Sequence, residues 1–501
     1  MSRTRRLASV ALAVTLAGCV LPEVSPTGSP ETSAGPTTAP SATASSTLLP
    51  TSPEPSAEAG SWSYETDEIR GIGFGHDGTT YLFTWSGDAP SRLVALDEGG
   101  EVVRGWPVSI GTESTGIGSG PTVAPDGSVL VLAFAYTGSD LTIEYSLHRY
   151  GPDGAIVDGW PHAFAAGEEC GGGVLDGDGR VLVGCGTESG SRVVALDAAG
   201  DVSWEVPVSL PVATELRLGS DGTVFVGSAG TAGGLAALTP DGEGLPGWPI
   251  RIDNPYGYGV APTGAVLVWW RDHPTEEICN EGGSTVYLSV AEDGGVPPGW
   301  PQVVAGPASS PAFGSDGTIY VTDAADHLYA FEPDGAIPSG WPVTIPATTG
   351  TCFGPPDPAV GPDGTIYVAT GGRAPAGALV ALDPDGRPRA GWPYVPDGEL
   401  AYPCIGCTPG PADPSPPLFG ANSLFVVTYP AEPEAVGDVE ILAFGADASM
   451  RPGWPLRLNV DEAALHRAPD GRLFAVLVDT EDFEHTTLLF IPDPPPAGSG
   501  G

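Results

Sequence analysis

Basic residues are scarce in this chain, and lysine is absent. The 501 residues include 19 arginines against 62 acidic residues, a formal net charge of −43. A surface this acidic repels phosphate backbones, which excludes nucleic acid as a partner class. Long apolar runs are also missing. No stretch reaches the ~18 uninterrupted apolar residues that a membrane-spanning helix needs. Cysteine is sparse at seven residues, and no two are adjacent. What the chain has in abundance is glycine, at 73 residues, and proline, at 55. That balance favours turns and short strands over helices.

The two ends differ from the middle. Met1 to Arg6 is basic, and an apolar run from Leu7 to Leu16 follows. This reads as a signal peptide over residues 1–18, too short to cross a bilayer as a helix. It ends in Leu16-Ala17-Gly18-Cys19, which resembles the bacterial lipobox and implies lipidation of Cys19. The chain is then expected to be exported and held at the outer face of the cell membrane, or in the envelope, by lipid alone. Residues 19–60 are rich in Ser, Thr, Pro and Ala, with too little apolar area to offset ordering entropy, and read as a disordered tether. Residues 494–501 read as a disordered tail.

Residues 61–493 carry an internal repeat. One copy runs from Pro358 through Asp363-Gly364 to Thr370, then Ala378 to Gly386, then Gly391-Trp392-Pro393. Its closing tryptophan recurs at Trp106, Trp160, Trp204, Trp248, Trp300, Trp341, Trp392 and Trp454, always as Gly-Trp-Pro except at Trp204. Asp-Gly between apolar runs signals a tight hairpin. Val-, Ile- and Tyr-rich segments such as Thr318 to Thr322 read as strands. One four-stranded antiparallel unit per tryptophan predicts an all-β fold, a β-propeller of eight or nine blades, with each tryptophan docked between neighbours. An orphan ninth unit, Leu465 to Ile491, lacks a fourth strand. Ser61-Trp62-Ser63-Tyr64 could supply it and close the ring.

Ala95-Leu96-Asp97 with Gly100 and Trp106, and Ala381-Leu382-Asp383 with Gly386 and Trp392, resemble the tryptophan-docking motif of quinoprotein-like (PQQ-like) β-propellers. The resemblance covers nearly all of the folded part and implies architecture rather than activity. A quinoprotein dehydrogenase of that fold would usually need a vicinal Cys-Cys pair, which this chain lacks. No cofactor and no metal is expected. Asp176-Gly177-Asp178-Gly179 reads as a hairpin turn rather than a calcium loop.

Turns alternate between the two ends of such a blade. First-to-second and third-to-fourth strand turns share one end and are short throughout. The long, idiosyncratic segments all belong to the other end: Tyr136 to Glu144, Arg271 to Ser284, Pro346 to Asp357, Tyr394 to Pro416 and Tyr429 to Asp438. Function concentrates on irregular loops held by a rigid scaffold, so this end is expected to bind a protein, peptide or glycan partner, with the chain itself a monomer. The cysteines are expected to form disulfides. Cys170 and Cys185 flank one hairpin turn; Cys279 with Cys352, and Cys404 with Cys407, are the favoured pairs of the remaining four. The alternative function is a hydrolase or lyase at the channel mouth. The innermost strand of most units carries small residues such as Gly73, Thr122, Gly259, Ala312 and Ala359. Polar departures at Glu215, Arg217, His466 and Arg467 are the candidates for such a site.

Overall fold

Most Asp-Gly steps close a hairpin in the same way, and these turns organise the chain. In a computed structural model, the first turn has the backbone N–H of Thr79 donating to Asp77 Oδ1 at 3.0 Å, with Gly78 at φ 88°. The side chain copies a backbone turn, and the glycine takes a φ that other residues avoid. The same donor and acceptor positions recur at Ser128 and Asp126, Thr223 and Asp221, Thr318 and Asp316, and Thr365 and Asp363. The structure describes residues 61–494 apart from 87–88, 112–114, 139–140, 229–231, 253, 273–282, 347–354, 371–376, 396–398, 401–416, 430–438 and 479–484.

The fold is a β-propeller: all-β, with no helix among the described residues, and built of antiparallel sheets that are mostly four-stranded. The first unit comprises β1 (Trp62–Phe74), β2 (Thr80–Ser86), β3 (Ala89–Leu96) and β4 (Val108–Ile110). Strand β1 serves two units. Its first half, Trp62 to Asp67, pairs with His485–Ile491, and its second half, Glu68 to Phe74, pairs with β2. Thr486 marks the branch. Its buried hydroxyl donates to the Asp67 carbonyl and accepts the Ile69 N–H, both at 3.1 Å. The orphan unit thus receives its fourth strand from residues just before the first unit. One seven-stranded sheet joins the two ends of the folded chain.

The hydrophobic core is divided in the same way. Nine buried clusters among the described residues each draw from two consecutive units. Tyr81, Phe83 and Trp106 of the first unit pack with Val129, Val131 and Tyr150 of the second, for example. Ile69, Leu82 and Leu96 pack with Phe474, Val476 and Leu488, which carries the series across the seam. Burial therefore lies between units, and each unit is completed by its neighbours.

The tryptophans are the fixed points of these clusters. The indole N–H of Trp106 donates to Pro152 O at 3.0 Å, in the third turn of the next unit. Trp160 reaches Ala198 O, Trp248 reaches Glu292 O and Trp300 reaches Pro333 O, each at the second position of the corresponding turn. All seven Trp-Pro bonds are cis. Trp204 lacks the proline, and it sits inside a seven-residue strand, Val202–Val208. Six of the seven Gly-Trp-Pro units have outer strands of only two to four residues, and the Trp392 unit has a single bridge there, Leu379 to Tyr394. A proline directly after the tryptophan removes a ladder donor at that position, whereas Trp204 is followed by Glu205, which pairs with Val194.

Trp62 is a ninth member of this set, although it lacks the flanking glycine and proline. Its Nε1 donates to Glu98 O at 2.8 Å, again at the second position of the next third turn. A Cβ on Gly100 would lie 2.5 Å from its ring, so that glycine is required by close approach. A small residue on the innermost strands has a similar cause in several units. A Cβ on Gly73 would meet Pro121 O at 2.2 Å, so at that position the constraint is contact between neighbouring inner strands, not the bore of a channel.

One of the turn aspartates illustrates a pH limit. The Asp221 carboxyl is held below its ordinary range by the Thr223 N–H and then by the Thr223 hydroxyl. A depressed folded-state pKa contributes stability above the unfolded value, about 3.9, and that contribution is lost as pH falls through the folded value. Melting temperatures read from pH 7 to pH 2 should therefore show this loss only below about pH 4. Asp221→Asn should reduce the acid dependence. An unchanged acid profile in that variant would remove the turn carboxylate from the explanation.

Candidate binding face

Two strand ends and two connections meet at one end of each unit, opposite the Asp-Gly turns. At this end the described residues depart most from the repeat. Tyr136 to Glu144, expected as a loop, is largely strand: Val129–Thr137 and Thr142–Tyr150 continue the hairpin outward. The β-branched and aromatic residues there, including Ile143 and Tyr145, favour extended pairing. Tyr136 at its tip is 48% exposed. Tyr394 to Pro416 contributes one short strand, Glu399–Leu400, paired with Thr428 and Tyr429. Residues 273–282, 347–354, 401–416 and 430–438 of the predicted long segments, together with Cys279, Cys352, Cys404 and Cys407, lie outside the described residues, as does Cys19.

Cys170 and Cys185 form a disulfide, directly opposite each other across two strands. Glu168 lies beside both sulfurs, but a disulfide offers no thiolate to a metal. Glu168 instead pairs with Arg192 at 2.7 Å, and Arg192 also binds Glu205 at 2.9 Å. The Asp176 carboxylate accepts from the backbone N–H groups of Asp178 and Arg180 and from Arg180 Nε. Its acceptor capacity is spent within its own turn.

Of the four channel-mouth candidates, Glu215 and Arg217 come together and form a 2.9 Å ion pair, each side chain about half exposed. Arg217 also lies over the Tyr258 ring at 5.3 Å. It therefore leans on the next unit, as Gly73 does at the equivalent register. His466 and Arg467 lie on Glu462–Arg467, the inner strand of the last unit. The partners of Arg217 are Glu215 and Tyr258 rather than His466 or Arg467.

A recess of about 40 Å³ opens beside Glu215. Its walls include Leu235, Pro255, Tyr256, Tyr258 and Val268. Tyr258 is buried, and its hydroxyl donates to the Glu215 carbonyl at 3.0 Å. Burial, and then the Glu215 charge, push the Tyr258 hydroxyl pKa upward, so it stays a donor. Tyr256 stands at the rim, 68% exposed, with the Arg271 guanidinium 5.3 Å from its ring. Tyr256, Tyr258 and Arg271 were not legible as a group in the sequence. They come from a blade-to-blade connection and two separate strands, and no repeat signal links them.

Two other polar groupings stand out. The Asp323 carboxylate accepts from Tyr329 Oη at 3.0 Å, and His327 Nδ1 lies 3.1 Å from it. The backbone N–H groups of Ala325 and His327 also donate to it, so this buried carboxylate ties a tight turn together. Ser146 Oγ lies 2.9 Å from His148 Nε2, and burial lowers the His148 pKa. Exposed apolar side chains are also present near the other end of the molecule, at Val102, Ile156, Val296 and Ile337.

No family's sequence model matches the chain, and no curated protein does. Similar solved structures include BamB from Moraxella catarrhalis, at 16% identity over 86% of this chain and 98% of that one, with a TM-score of 0.41. The Dos1 propeller is 8% identical over 85% and 94%, with a TM-score of 0.44. Puromycin hydrolase is 16% identical over 82% and 58%, with a TM-score of 0.39.

Proposed function

We propose that this chain is a non-catalytic binding or scaffold module. In this reading it is a ring of nine blades, tethered at the cell envelope through Cys19, that engages a protein, peptide or glycan through the end opposite its Asp-Gly turns. The observation that carries the reading is the asymmetry of the two ends. One end repeats the same tight turn, while the other holds the outward hairpin, the exposed Tyr136 and Tyr256, and a recess far below the ~300 Å³ of an ordinary small-molecule site. Exposed aromatic side chains beside arginine are what protein-binding hot spots are made of.

The test is capture from envelope extract, together with a glycan panel, using soluble chain that starts at Ser61. A specific, saturable partner is expected. Its absence from both would contradict the proposal.

A further inference from the structure

The recess between the fourth and fifth units has the chemistry of a receptor for one side chain. We infer that it receives an arginine or lysine from a basic segment of a partner polypeptide. This rests on the binding reading above and gives it a ligand class.

Three features point the same way. The walls formed by Leu235, Pro255, Tyr256 and Val268 are apolar and suit methylene groups, while Glu215 is the one charged residue among those lining the recess. An apolar stem with a cationic head is the build of arginine and lysine. At about 40 Å³ the recess admits the end of one side chain and not a free metabolite. The surrounding field also favours such a partner. Without Arg3, Arg5 and Arg6 of the leader the chain carries 16 basic against 62 acidic residues, and a field of this sign steers cations toward it.

Glu215 is engaged by Arg217 in the structure, but the pair is half exposed on both sides. Exposed ion pairs contribute little, so an incoming cation can displace Arg217 or share the carboxylate with it. Arg217 is then an internal competitor. Tyr258 holds the Glu215 backbone in place from below. Tyr256 is the exposed wall, and Arg271 covers part of its ring.

The test uses the full mature chain and a fluorescent five-residue peptide, acetylated and amidated, with one arginine flanked by glycine and serine. A citrulline version keeps the shape and loses the charge. The arginine peptide should bind about tenfold tighter than the citrulline peptide, the scale of one charge-assisted hydrogen bond. Glu215→Gln should weaken arginine binding by about tenfold, and Tyr256→Ala should weaken it severalfold. Arg217→Ala should tighten it severalfold, because the competitor is gone.

Arg387→Ala is the control, since Arg387 is 82% exposed and pairs with Asp385 in a distant turn. If Arg387→Ala tightens binding as much as Arg217→Ala does, general charge explains the result and the site is wrong. Equal binding of the two peptides, no binding of either, or indifference to Glu215→Gln in correctly folded protein would each overturn the inference. So would a glycan that depends on Tyr256 and ignores Glu215→Gln. A partner captured from extract that is indifferent to Glu215→Gln would leave the broader binding reading standing and sink this one alone.

Discussion

Removing the first half of β1 should open the ring. A chain beginning at Glu68 loses six paired positions, Trp62 to Asp67 against Phe490 to His485. It also loses the indole that docks on Glu98 O and Gly100. His485–Ile491 would become an unpaired edge strand, a template for association with other copies. The expected result is a chain that elutes as oligomers or precipitates, with early hydrogen exchange across residues 485–491. Trp62→Ala isolates the docking term. The ring stacks on Phe490 and meets Phe474 edge-on, with centroids 5.7 and 5.9 Å apart. Its loss should cost about 3 kcal/mol, the low end for a large aromatic truncated to alanine, because Trp62 is only partly buried. Trp85→Ala is the comparison, since its ring faces a guanidinium, that of Arg70, rather than two aromatic rings. If both variants shift the denaturation midpoint equally, Trp62 is not a docking residue.

Breaking the Cys170–Cys185 bridge should be the second large effect. The two residues lie 15 apart in sequence. A closed loop of that size is worth about 3 kcal/mol in the chain-entropy account. Both cysteines are buried, in the cluster that joins the second and third units. The double alanine variant should therefore lower the urea midpoint, and reductant should lower the wild-type midpoint by a similar amount. Reductant should lower the midpoint of the variant by less than it lowers that of the wild type. Rapid labelling of Cys170 by a thiol reagent in native, unreduced protein would contradict the bridge.

Much of this architecture was readable because it repeats. Gly-Trp-Pro marks the outer edge of seven units, and Asp-Gly marks the turns between inner strands, so strand order follows from spacing alone. The closing segment Ser61 to Tyr64 was readable as a missing strand. The docking role of Trp62 was not, because it has neither the glycine nor the proline of its counterparts. What identifies it is a contact with Glu98 across the seam. The hairpin tip at Tyr136 was misread as a loop because its length departs from the other units.

The candidate site was half legible. Glu215 and Arg217 stand out at a register where other units carry small residues, but the sequence offered no reason to join them to Tyr256, Tyr258 and Arg271. Those five side chains meet only because a blade connection folds back against the end of two strands. The same geometry explains why Arg217 faces Tyr258: the register it occupies looks toward the next unit, as the close approach at Gly73 shows.

The most direct test of the account compares the two ends of the propeller in one capture experiment. Tyr136→Ser with Tyr256→Ser alters the proposed binding end, and Val102→Ser with Ile156→Ser alters exposed apolar residues near the turn end. The account predicts that the first pair abolishes saturable capture of the partner and the second leaves it intact. Loss of capture by the second pair alone, or equally by both, would contradict the claim that the irregular end binds.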